Sequence, residues 1–573
     1  MKKLIAGLIQ MTLLVVAGMT LAGQAWSQDA DTILVNGKVL TVDGRFSARE
    51  AVAVRDGKIV ALGSTIDVKK LAGPKTRVID LQGRTVIPGL IDNHMHAIRA
   101  AQTFSTEVNW IGPKSLADGL ARIHDAAQRM KPGSWLIVVT PPATLETFKE
   151  KRQPTQAELL AVAPNNPVYV QLGYGSAVMT PLALAALHIA SDSDLPARTK
   201  LEKDANGNPT GVVAGNMVEL FDRLPKPTFD EQVEGTKEFF HELNRLGMTG
   251  VVDPGGNNVA PGDYQALFKV WRDGQLTVRV AYSLCGMTAG SEFDEYKNYL
   301  ALMPMSFGDE MLRFNGLGER ITWAMNAISG DASDADHEKY YQIVRWAAER
   351  GMTVTMHWAS DRNVNQLLTI WERVNQEFPI ARLRWTIAHL NDASTATLQR
   401  MKALGVGWTV QDAMYNSGDQ VVKQEGAEAA RRMPPLMTAK KIGVMISGGT
   451  DAHRVSTYNP FTVLQWFLDG KTAGGTALRG SEETPSRADA LRFYTMGSAW
   501  VANDENQRGS LEVGKFADLA VLSKDYMTAP VGEIGETVSL LTMLGGKVVS
   551  AAGPYAQWEE KQSKREISKA NPR

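Results

Sequence analysis

Short apolar runs alternate with amphipathic stretches through the middle of the chain. Four runs rich in β-branched and aromatic residues predict strands, at 353–357, 384–389, 406–410 and 444–447. Helical periodicity precedes and separates them; residues 337–350 place apolar side chains on one face, and the pattern stops at Gly351. This alternation predicts an α/β domain with a parallel sheet, and the number of units predicts a (β/α)₈ TIM-like barrel. In such a barrel the chemistry lies at the carboxyl ends of the strands.

The pattern near the amino terminus differs, because short β-rich runs flank two turn signals there. Asn36-Gly37 and Asp56-Gly57 each lie between two such runs. Asn-Gly and Asp-Gly favour the positive φ angles that a two-residue hairpin turn needs. The sequence therefore predicts two hairpins in a small antiparallel sheet.

The first 27 residues have the pattern of an export signal. Lys2 and Lys3 precede an uncharged apolar stretch, and Ala25-Trp26-Ser27 offers small residues at the two positions that a signal peptidase reads. The alternative is an uncleaved membrane anchor, but several glycines and Gln10 make this segment a poor permanent span. We therefore expect an exported protein, periplasmic or secreted, with no stable membrane anchor after signal cleavage.

Length and composition narrow the range of partners. A chain of 573 residues is too long to fold around one simple core, so two or more domains are expected. A formal net charge of −1 gives no reason to expect nucleic acid or an anionic membrane, and the expected partner is a small-molecule substrate. Cys285 is the one cysteine, which excludes a disulfide framework or a Cys-rich zinc site within the chain. Histidines and carboxylates must therefore hold any metal, while homo-oligomer formation stays open.

Five residues of metal-binding types follow apolar runs. His94 and His96 end the run 86–91, and alternation along a strand points both side chains to the same face. His357, His389 and Asp451 each follow a later run. Each single histidine has the alternative role of a buried, hydrogen-bonded core residue. Together the five are enough ligands for one or two divalent ions, with Zn²⁺ as the default for a His-rich hydrolytic site.

Such a site predicts hydrolysis. A divalent ion lowers the pKa of a bound water towards neutrality and makes hydroxide available. Asp451 is the expected catalytic residue, because it can bind the metal, take the proton of the water and pass it to a leaving amine.

Several motifs of the chain resemble those of the amidohydrolase superfamily of metal-dependent hydrolases. They are Pro88-Gly89-Leu90-Ile91-Asp92 before His94-Met95-His96, then His357, His389, Gly449-Thr450-Asp451 and the late segment 509–519. The segments 132–135, 163–168 and 209–212 resemble the amidohydrolase family 3 branch that includes N-substituted formamide deformylases. The resemblance implies that His94, His96, His357, His389 and Asp451 form the metal set and that Asp451 shuttles the proton.

The residue patterns and the resemblance together predict a domain plan. The signal peptide (1–27) precedes a first part of a small β-sandwich (28–88) and a metal-dependent hydrolase barrel (89–490). The less regular, proline-containing stretch at about 101–230 is expected to be an insertion that covers the mouth of the site. A second part of the β-sandwich (491–558) and a charged tail (559–573) complete the chain.

The chain departs from the family pattern at two positions. Many members carry a carboxylated lysine on the fourth barrel strand, but 312–323 contains no lysine, and Glu319 is the available oxygen donor there. A surface or salt-bridged role for Glu319 is the alternative. The branch often has Gly-His where this chain has Gly173-Tyr174, a position thought to face the substrate. His453 and Arg454 either reach the pocket, where the arginine would hold an anionic substrate, or lie in a solvated loop.

These observations predict a metal-dependent hydrolase acting on a carbon–nitrogen bond other than a peptide bond, in an amide, an N-formyl group or a cyclic amide. Two alternatives stay open, because one fold serves many functions. The same ligands serve deaminases of the superfamily. A non-catalytic periplasmic binding or regulatory protein on this fold is the second alternative.

Overall fold

The structure is a computed structural model that describes residues 29–256, 259–325, 332–357 and 360–559. The predicted signal peptide and all of the predicted charged tail beyond Glu559 lie outside these residues. Within the described ranges, every helix is too short or too polar to cross a bilayer.

Residues 29–92 form strands that divide between three sheets. The elements are β1 (Ala30–Val35), β2 (Lys38–Leu40), β3 (Ala48–Arg49), β4 (Ala51–Arg55), β5 (Lys58–Gly63), α1 (Thr65–Lys69), β6 (Ala72–Asp80), β7 (Thr85–Pro88) and β8 (Leu90–Asp92). One sheet has the order β5-β4-β1-β6, whereas β2, β3 and β7 belong to a second sheet and β8 to a third.

One of the two predicted hairpins is confirmed and the other is wrong. β4 and β5 pair antiparallel with Arg55 opposite Lys58, and Asp56 and Gly57 between them have φ angles of 50° and 75°. At Asn36 the chain instead passes from one sheet to another, since β1 pairs with β4 and β6 whereas β2 pairs with β3 and β7. Because β4 and β6 occupy both edges of β1, β2 cannot pair with it. The chain therefore turns at Asn36-Gly37 without forming a hairpin.

The stretch predicted to be irregular holds a five-stranded mixed sheet. Its elements and those beside it are α2 (Ala97–Thr103), α3 (Leu116–Arg129), β9 (Leu136–Thr140), α4 (Thr144–Thr147), α5 (Gln156–Val162), β10 (Val168–Leu172), β11 (Ser176–Met179), α6 (Pro181–Ala186), β12 (Lys200–Lys203), β13 (Pro209–Ala214) and α7 (Met217–Phe221). The strand order is β12-β13-β11-β10-β9. One apolar cluster includes Tyr169 and Met179, and another includes Val170 and Val178, so alternate side chains of this sheet bury both of its faces.

Helices and parallel strands alternate over residues 229–501. The elements are α8 (Phe229–Arg245), β14 (Met248–Asp253), α9 (Gln265–Arg272), β15 (Arg279–Leu284), α10 (Glu292–Tyr299), β16 (Leu312–Leu317), α11 (Asp334–Glu349), β17 (Thr355–His357), α12 (Asp361–Glu377), β18 (Thr386–Ala388), α13 (Thr395–Leu404), β19 (Gly407–Val410), α14 (Ala413–Glu425), α15 (Ala427–Ala430), α16 (Leu436–Ile442), β20 (Ile446–Gly448), α17 (Pro460–Asp469), α18 (Arg487–Arg492) and α19 (Ser498–Val501). The four runs predicted to be parallel strands become β17 to β20, which confirms that part of the prediction.

These strands form two four-stranded parallel sheets. The orders are β16-β15-β14-β8 and β17-β18-β19-β20. The sheets meet at two places: a parallel bridge joins Leu317 to Val354, and the backbone N–H of Asn93 donates to the carbonyl of Gly448 at 3.1 Å. The carboxyl ends of both sheets therefore lie close to one another, and the protein has an α/β fold with mixed sheets.

The last strands of the chain complete the sheet that β2, β3 and β7 begin. They are β21 (Leu519–Leu522), β22 (Ser539–Leu544) and β23 (Lys547–Ala551), in the order β23-β22-β21-β7-β2-β3. Beside β21, Asp518 forms a buried ion pair with Arg279 of β15, with 2.8 Å between Oδ2 and Nε. This pair ties the six-stranded sheet to the parallel sheets.

Candidate metal centre and active site

Asp92 fixes the loop that carries the first two histidines. It ends β8 with a fully buried side chain, whose Oδ1 accepts hydrogen bonds from the backbone N–H groups of His94 at 3.0 Å and Thr450 at 3.2 Å. Its Oδ2 accepts a hydrogen bond from the hydroxyl of Tyr494 at 2.8 Å. Burial raises the pKa of Asp92 to about 6, although these hydrogen bonds oppose the shift. One carboxylate thus holds two segments of the site that are remote in sequence.

Backbone hydrogen bonds bring Asp451 beside these histidines. The N–H of Asp451 donates to the carbonyl of His94 at 2.8 Å, and the N–H of His96 donates to the carbonyl of Ala452 at 3.0 Å. Asp451 and His389 both have left-handed backbones, with φ of 59° and 64°. Such conformations are strained for residues other than glycine and cluster at functional sites.

The carboxylate of Asp451 faces both imidazoles of the His-x-His pair. Its Oδ1 lies 3.1 Å from Nε2 of His96 and 3.7 Å from Nε2 of His94. One potential ligand atom from each of these three residues lies within 4.8 Å of the others. The structure thus brings together three of the five predicted ligands at a spacing that suits one ion.

Glu319 lies among the histidines, two residues beyond the end of β16. Its Oε2 is 3.0 Å from Nε2 of His94 and 3.7 Å from Nε2 of His389, and its Oε1 is 3.4 Å from Nε2 of His96. Burial opposes ionisation of Glu319, but the neighbouring His96 and His357 outweigh it and hold the pKa of this carboxyl well below its usual range. The surface alternative for Glu319 is wrong, because the side chain is buried.

His357 and His389 complete the cluster from the second parallel sheet. Their ring centroids are 4.4 Å apart, and the ring of His389 lies 4.8 Å from that of His94. Burial and the adjacent His389 lower the pKa of His357 to about 4, so this imidazole is neutral near pH 7 and keeps a lone pair. All five predicted residues, together with Glu319, therefore meet at the carboxyl ends of the strands.

The unpaired atoms of this cluster fit a cation. Nδ1 of His96 lies 2.7 Å from the carbonyl of Gly255, which can only accept, so the ring carries its proton there and leaves Nε2 bare. Nε2 of His94, Nε2 of His389 and Oε2 of Glu319 are buried and have no hydrogen-bond partner. Buried polar atoms normally have partners, and convergent nitrogen and carboxylate donors suit a divalent transition metal.

A cavity of about 870 Å³ opens beside Asp451. Gly173 and Tyr174, which follow β10 of the inserted sheet, line one side of it. Gln411 and Asp412, which follow β19, line another. The site therefore has room for a small molecule next to the candidate metal ligands, and Tyr174 borders that space.

Two polar residues of this wall were missed in the sequence. Gln411 accepts a hydrogen bond from the N–H of His389 at 3.0 Å and donates to Asn93 at 3.3 Å, so it holds the strained His389 backbone against the His-x-His loop. Asp412 accepts a hydrogen bond from Ser456 at 2.7 Å, and burial raises the pKa of Asp412 to about 8. The sequence does contain a signal for both residues, because they follow the apolar run 406–410 just as the candidate histidine ligands follow apolar runs of their own.

His453 and Arg454 are both buried, so the solvated-loop alternative is wrong. Nε2 of His453 lies 3.5 Å from a carboxylate oxygen of Glu107, and burial lowers the pKa of this imidazole. The guanidinium of Arg454 lies over the ring of Phe221, 3.9 Å from its centroid.

The carboxyl ends of the parallel strands bring four imidazoles and two carboxylates together beside a cavity. This arrangement, on an α/β fold, is typical of the class of metal-dependent hydrolases. A sequence profile of the amidohydrolase family matches residues 77–550, and the chain belongs to this family. It is therefore a hydrolytic enzyme for carbon–nitrogen bonds, as the sequence motifs predicted, and the family is metal-dependent.

Individual relatives agree with this membership. The chain is 25% identical to an N-substituted formamide deformylase from Arthrobacter pascens, over 91% of the chain and 98% of the relative. It is also 25% identical to the protein LONG AFTER FAR-RED 3 of Arabidopsis thaliana, over 90% and 91%. An uncharacterized metal-dependent hydrolase from Pyrococcus horikoshii has the same fold, with a TM-score of 0.64 and 20% identity over 87% of the chain and 99% of that structure.

Proposed function

We propose that this enzyme hydrolyses a carbon–nitrogen bond other than a peptide bond, in an amide, an N-formyl group or a cyclic amide. The observation that carries the proposal is the convergence of unpaired ligand atoms beside a cavity of about 870 Å³. The N-formyl class is supported by the similarity to a formamide deformylase along nearly the whole length of both chains.

In this proposal His94, His96, His357, His389 and Asp451 hold the metal, and Zn²⁺ is the expected ion. Glu319 lies between the imidazoles and takes the place of a bridging ligand if two ions bind. When bound, a divalent ion polarises the carbonyl of the substrate and makes water a nucleophile at neutral pH.

Asp451 is positioned to move the proton. Its side chain is 19% exposed, more than that of Glu319, the other carboxylate of the cluster, and it lines the cavity. It accepts a proton from the attacking water as the C–O bond forms, and it donates that proton to the leaving nitrogen as the C–N bond breaks. The products are a carboxylic acid and an amine, so atoms and charge balance.

The two parallel sheets are, we propose, the halves of a (β/α)₈ barrel. The contacts at Leu317–Val354 and Asn93–Gly448 support this arrangement, since they lie where the halves would join. The two small sheets would form the predicted β-sandwich. Leu34 and Val52 of one small sheet share an apolar cluster with Val86 and Leu519 of the other, which supports that packing.

Export remains a proposal that rests on residues 1–27. The small-molecule partner also remains a proposal. A fusion of residues 1–27 to a reporter enzyme that is active only outside the cytoplasm tests export. Replacement of Lys2 and Lys3 by Glu is expected to abolish the reporter signal, and an unchanged signal would contradict it.

A substrate screen tests the activity. The zinc-loaded enzyme is incubated with N-formyl amines, N-acetyl amines and cyclic amides, and the released amine is measured alongside bound metal. Turnover in one of these classes supports the proposal. Release of ammonia from amino-substituted heterocycles alone would favour the deaminase, and a metal-free, inert protein would favour the non-catalytic alternative.

A further inference from the structure

One helix forms a long wall of the cavity beside Asp451. Most residues of α14 that line this cavity recur at intervals of three or four positions: Ala413, Asn416, Ser417, Gln420 and Lys423. Residues at this spacing share one face of a helix. At the rise of an α-helix, the distance from the first of these residues to the last is about 15 Å. The cavity therefore extends along the helix well beyond the candidate metal ligands.

The wall leads away from the metal cluster. α14 begins directly after Asp412, and Thr450 and Asp451 line the cavity beside this end of the helix. Lys423 lies near the opposite end of the helix. A substrate whose scissile bond lies beside Asp451 therefore has room for a chain along α14. The volume of about 870 Å³ agrees, since it falls in the upper part of the range for drug-sized ligands.

The face of α14 that lines the cavity carries hydrogen-bonding groups. The amide nitrogen of Asn416 donates to the backbone carbonyl of Asp412 at 3.0 Å and to its Oδ1 at 3.1 Å, which leaves the Oδ1 of Asn416 as an acceptor. The hydroxyl of Ser417 donates to the carbonyl of Ala413 at 2.8 Å and can still accept. Gln420 is exposed, and the described residues give its side chain no hydrogen-bond partner. The wall therefore offers both donors and acceptors to a ligand.

The opposite wall of the cavity approaches α14 at Gly474. A methyl group added at Gly474 would lie 3.1 Å from Oδ2 of Asp419 in α14 and 3.6 Å from Oε2 of Glu146 in α4. Two helices that are remote in the chain thus reach the same point, and glycine leaves the space between them free. A chain bound along α14 would therefore lie in a groove between two walls rather than on an open surface.

The groove has balanced charges and small apolar side chains. Lys151 and Lys423 line it together with Glu146 and Asp419, and these four charges cancel. An ionic chain would therefore gain no net attraction from them, whereas a neutral polar chain would find partners along α14. Among the described residues that line the cavity, the apolar side chains other than the ring of Tyr174 are those of Pro142, Ala143, Ala413, Val422 and Val455. A long apolar chain thus lacks the large apolar side chains that would bury it.

We propose that α14 binds the polar part of an extended substrate, in which a formyl or short acyl group is attached to a chain of neutral hydrogen-bonding groups. Peptide amides and sugar hydroxyls both have this chemistry. The inference rests on the proposed C–N hydrolysis and gives it a substrate class. It assigns Gln420 to substrate specificity and leaves the proton transfer to Asp451.

Two formamides with chains of equal length test the wall. N-formylglycylglycinamide has a polar chain and N-formylhexylamine an apolar one. Their Kd values are measured by calorimetry with zinc-loaded Asp451→Asn protein, so that binding is separated from turnover. The polar compound is expected to bind at least about tenfold more tightly, the effect of two or more hydrogen bonds. N-formylglucosamine is measured in the same way, and the tighter of the two polar compounds distinguishes peptide from sugar.

Two substitutions on the same helix assign the effect to the groove. In the same protein, Gln420→Leu is expected to weaken the binding of the preferred polar compound about threefold to tenfold without weakening that of N-formylhexylamine. Gln424→Leu is the matched control, because Gln424 is exposed one turn further along α14 and is not among the described residues that line the cavity. Leucine is a strong helix former, so both variants are expected to keep their Tm.

Three results would overturn the proposal: binding of N-formylhexylamine at least as tight as that of both polar compounds, an unchanged preference in Gln420→Leu, or equal losses in Gln420→Leu and Gln424→Leu. Failure of the proposed hydrolysis has a different signature. The wild type then releases no formate from any of the three compounds, while the preference for the polar chain and its dependence on Gln420 persist and support the binding groove.

Discussion

Oε2 of Glu319 lies 3.0 Å from Nε2 of His94, yet neither atom has a hydrogen-bond partner. Buried polar atoms normally have such a partner, and a shared cation would supply one to both of these atoms. Ligand atoms of His94, Glu319 and His389 all lie within 4.8 Å of one another, a spacing that suits one ion. The relationship links β8 of one parallel sheet to the end of β16 at its other edge.

Replacement of Glu319 by Gln is therefore expected to reduce the metal bound per chain. The amide keeps the shape of the side chain but removes the negative charge that the cluster of imidazoles surrounds. Elemental analysis of the purified variant measures the loss. Glu428→Gln, at an exposed position of α15, is the matched control, and equal metal content in the two variants would remove Glu319 from the site.

Asp451→Asn is expected to lower kcat by about 10²–10⁴, the usual contribution of a positioned proton-transfer group, while fold and metal are largely retained. An amide cannot take a proton from water at neutral pH. Asp419→Asn is the control, because Asp419 lines the same cavity without belonging to the metal-binding groups. Near-normal activity of Asp451→Asn would show that another group moves the proton.

His357→Ala is expected to lower metal content, since it removes a neutral imidazole whose Nδ1 is buried without a partner. The exposed His124 provides the control substitution to Ala. Metal per chain is measured after dialysis against a weak chelator. Unchanged metal in His357→Ala would leave this residue as a packing neighbour of His389.

Asp412 is expected to make stability fall as pH rises. Burial raises its pKa from 3.8 to about 8, so between these values the folded chain binds a proton that the unfolded chain has lost. Stability decreases across that window and is level above it. Asp412→Asn lacks this titration. The Tm of the variant minus that of the wild type should therefore increase from pH 5 to pH 8. A difference in Tm that is constant with pH would contradict this.

The buried pair of Arg279 and Asp518 is expected to be important for stability. Asp518→Asn leaves a buried guanidinium uncompensated and should cost about 3–5 kcal/mol in the free energy of unfolding. Denaturant titration measures the loss. The exposed pair of Glu338 and Arg373 is the control, and Glu338→Gln should cost less than about 1 kcal/mol. Equal costs would show that the first pair contributes no more than a surface contact.

Local patterns predicted the parts of the site that local structure determines. The apolar runs 353–357 and 384–389 become β17 and β18, and the histidines at their ends reach the site because parallel strands end at the same edge. The pairing of β1 was missed, since a turn signal at Asn36 carries no information about which strand is free to pair. Gln411 was missed for the same reason, because its hydrogen bonds join His389 and Asn93, which are remote from each other in the chain.

The six-stranded sheet gives this chain a late step in its assembly. β7 is made early in synthesis, but its neighbour β21 begins only at Leu519, more than four hundred residues later. A nascent chain that stops before that point leaves one edge of β7 open, where another chain can add a strand. Shortening the protein from its carboxyl end by the three final strands is therefore expected to promote self-association, although the candidate metal ligands would all be present.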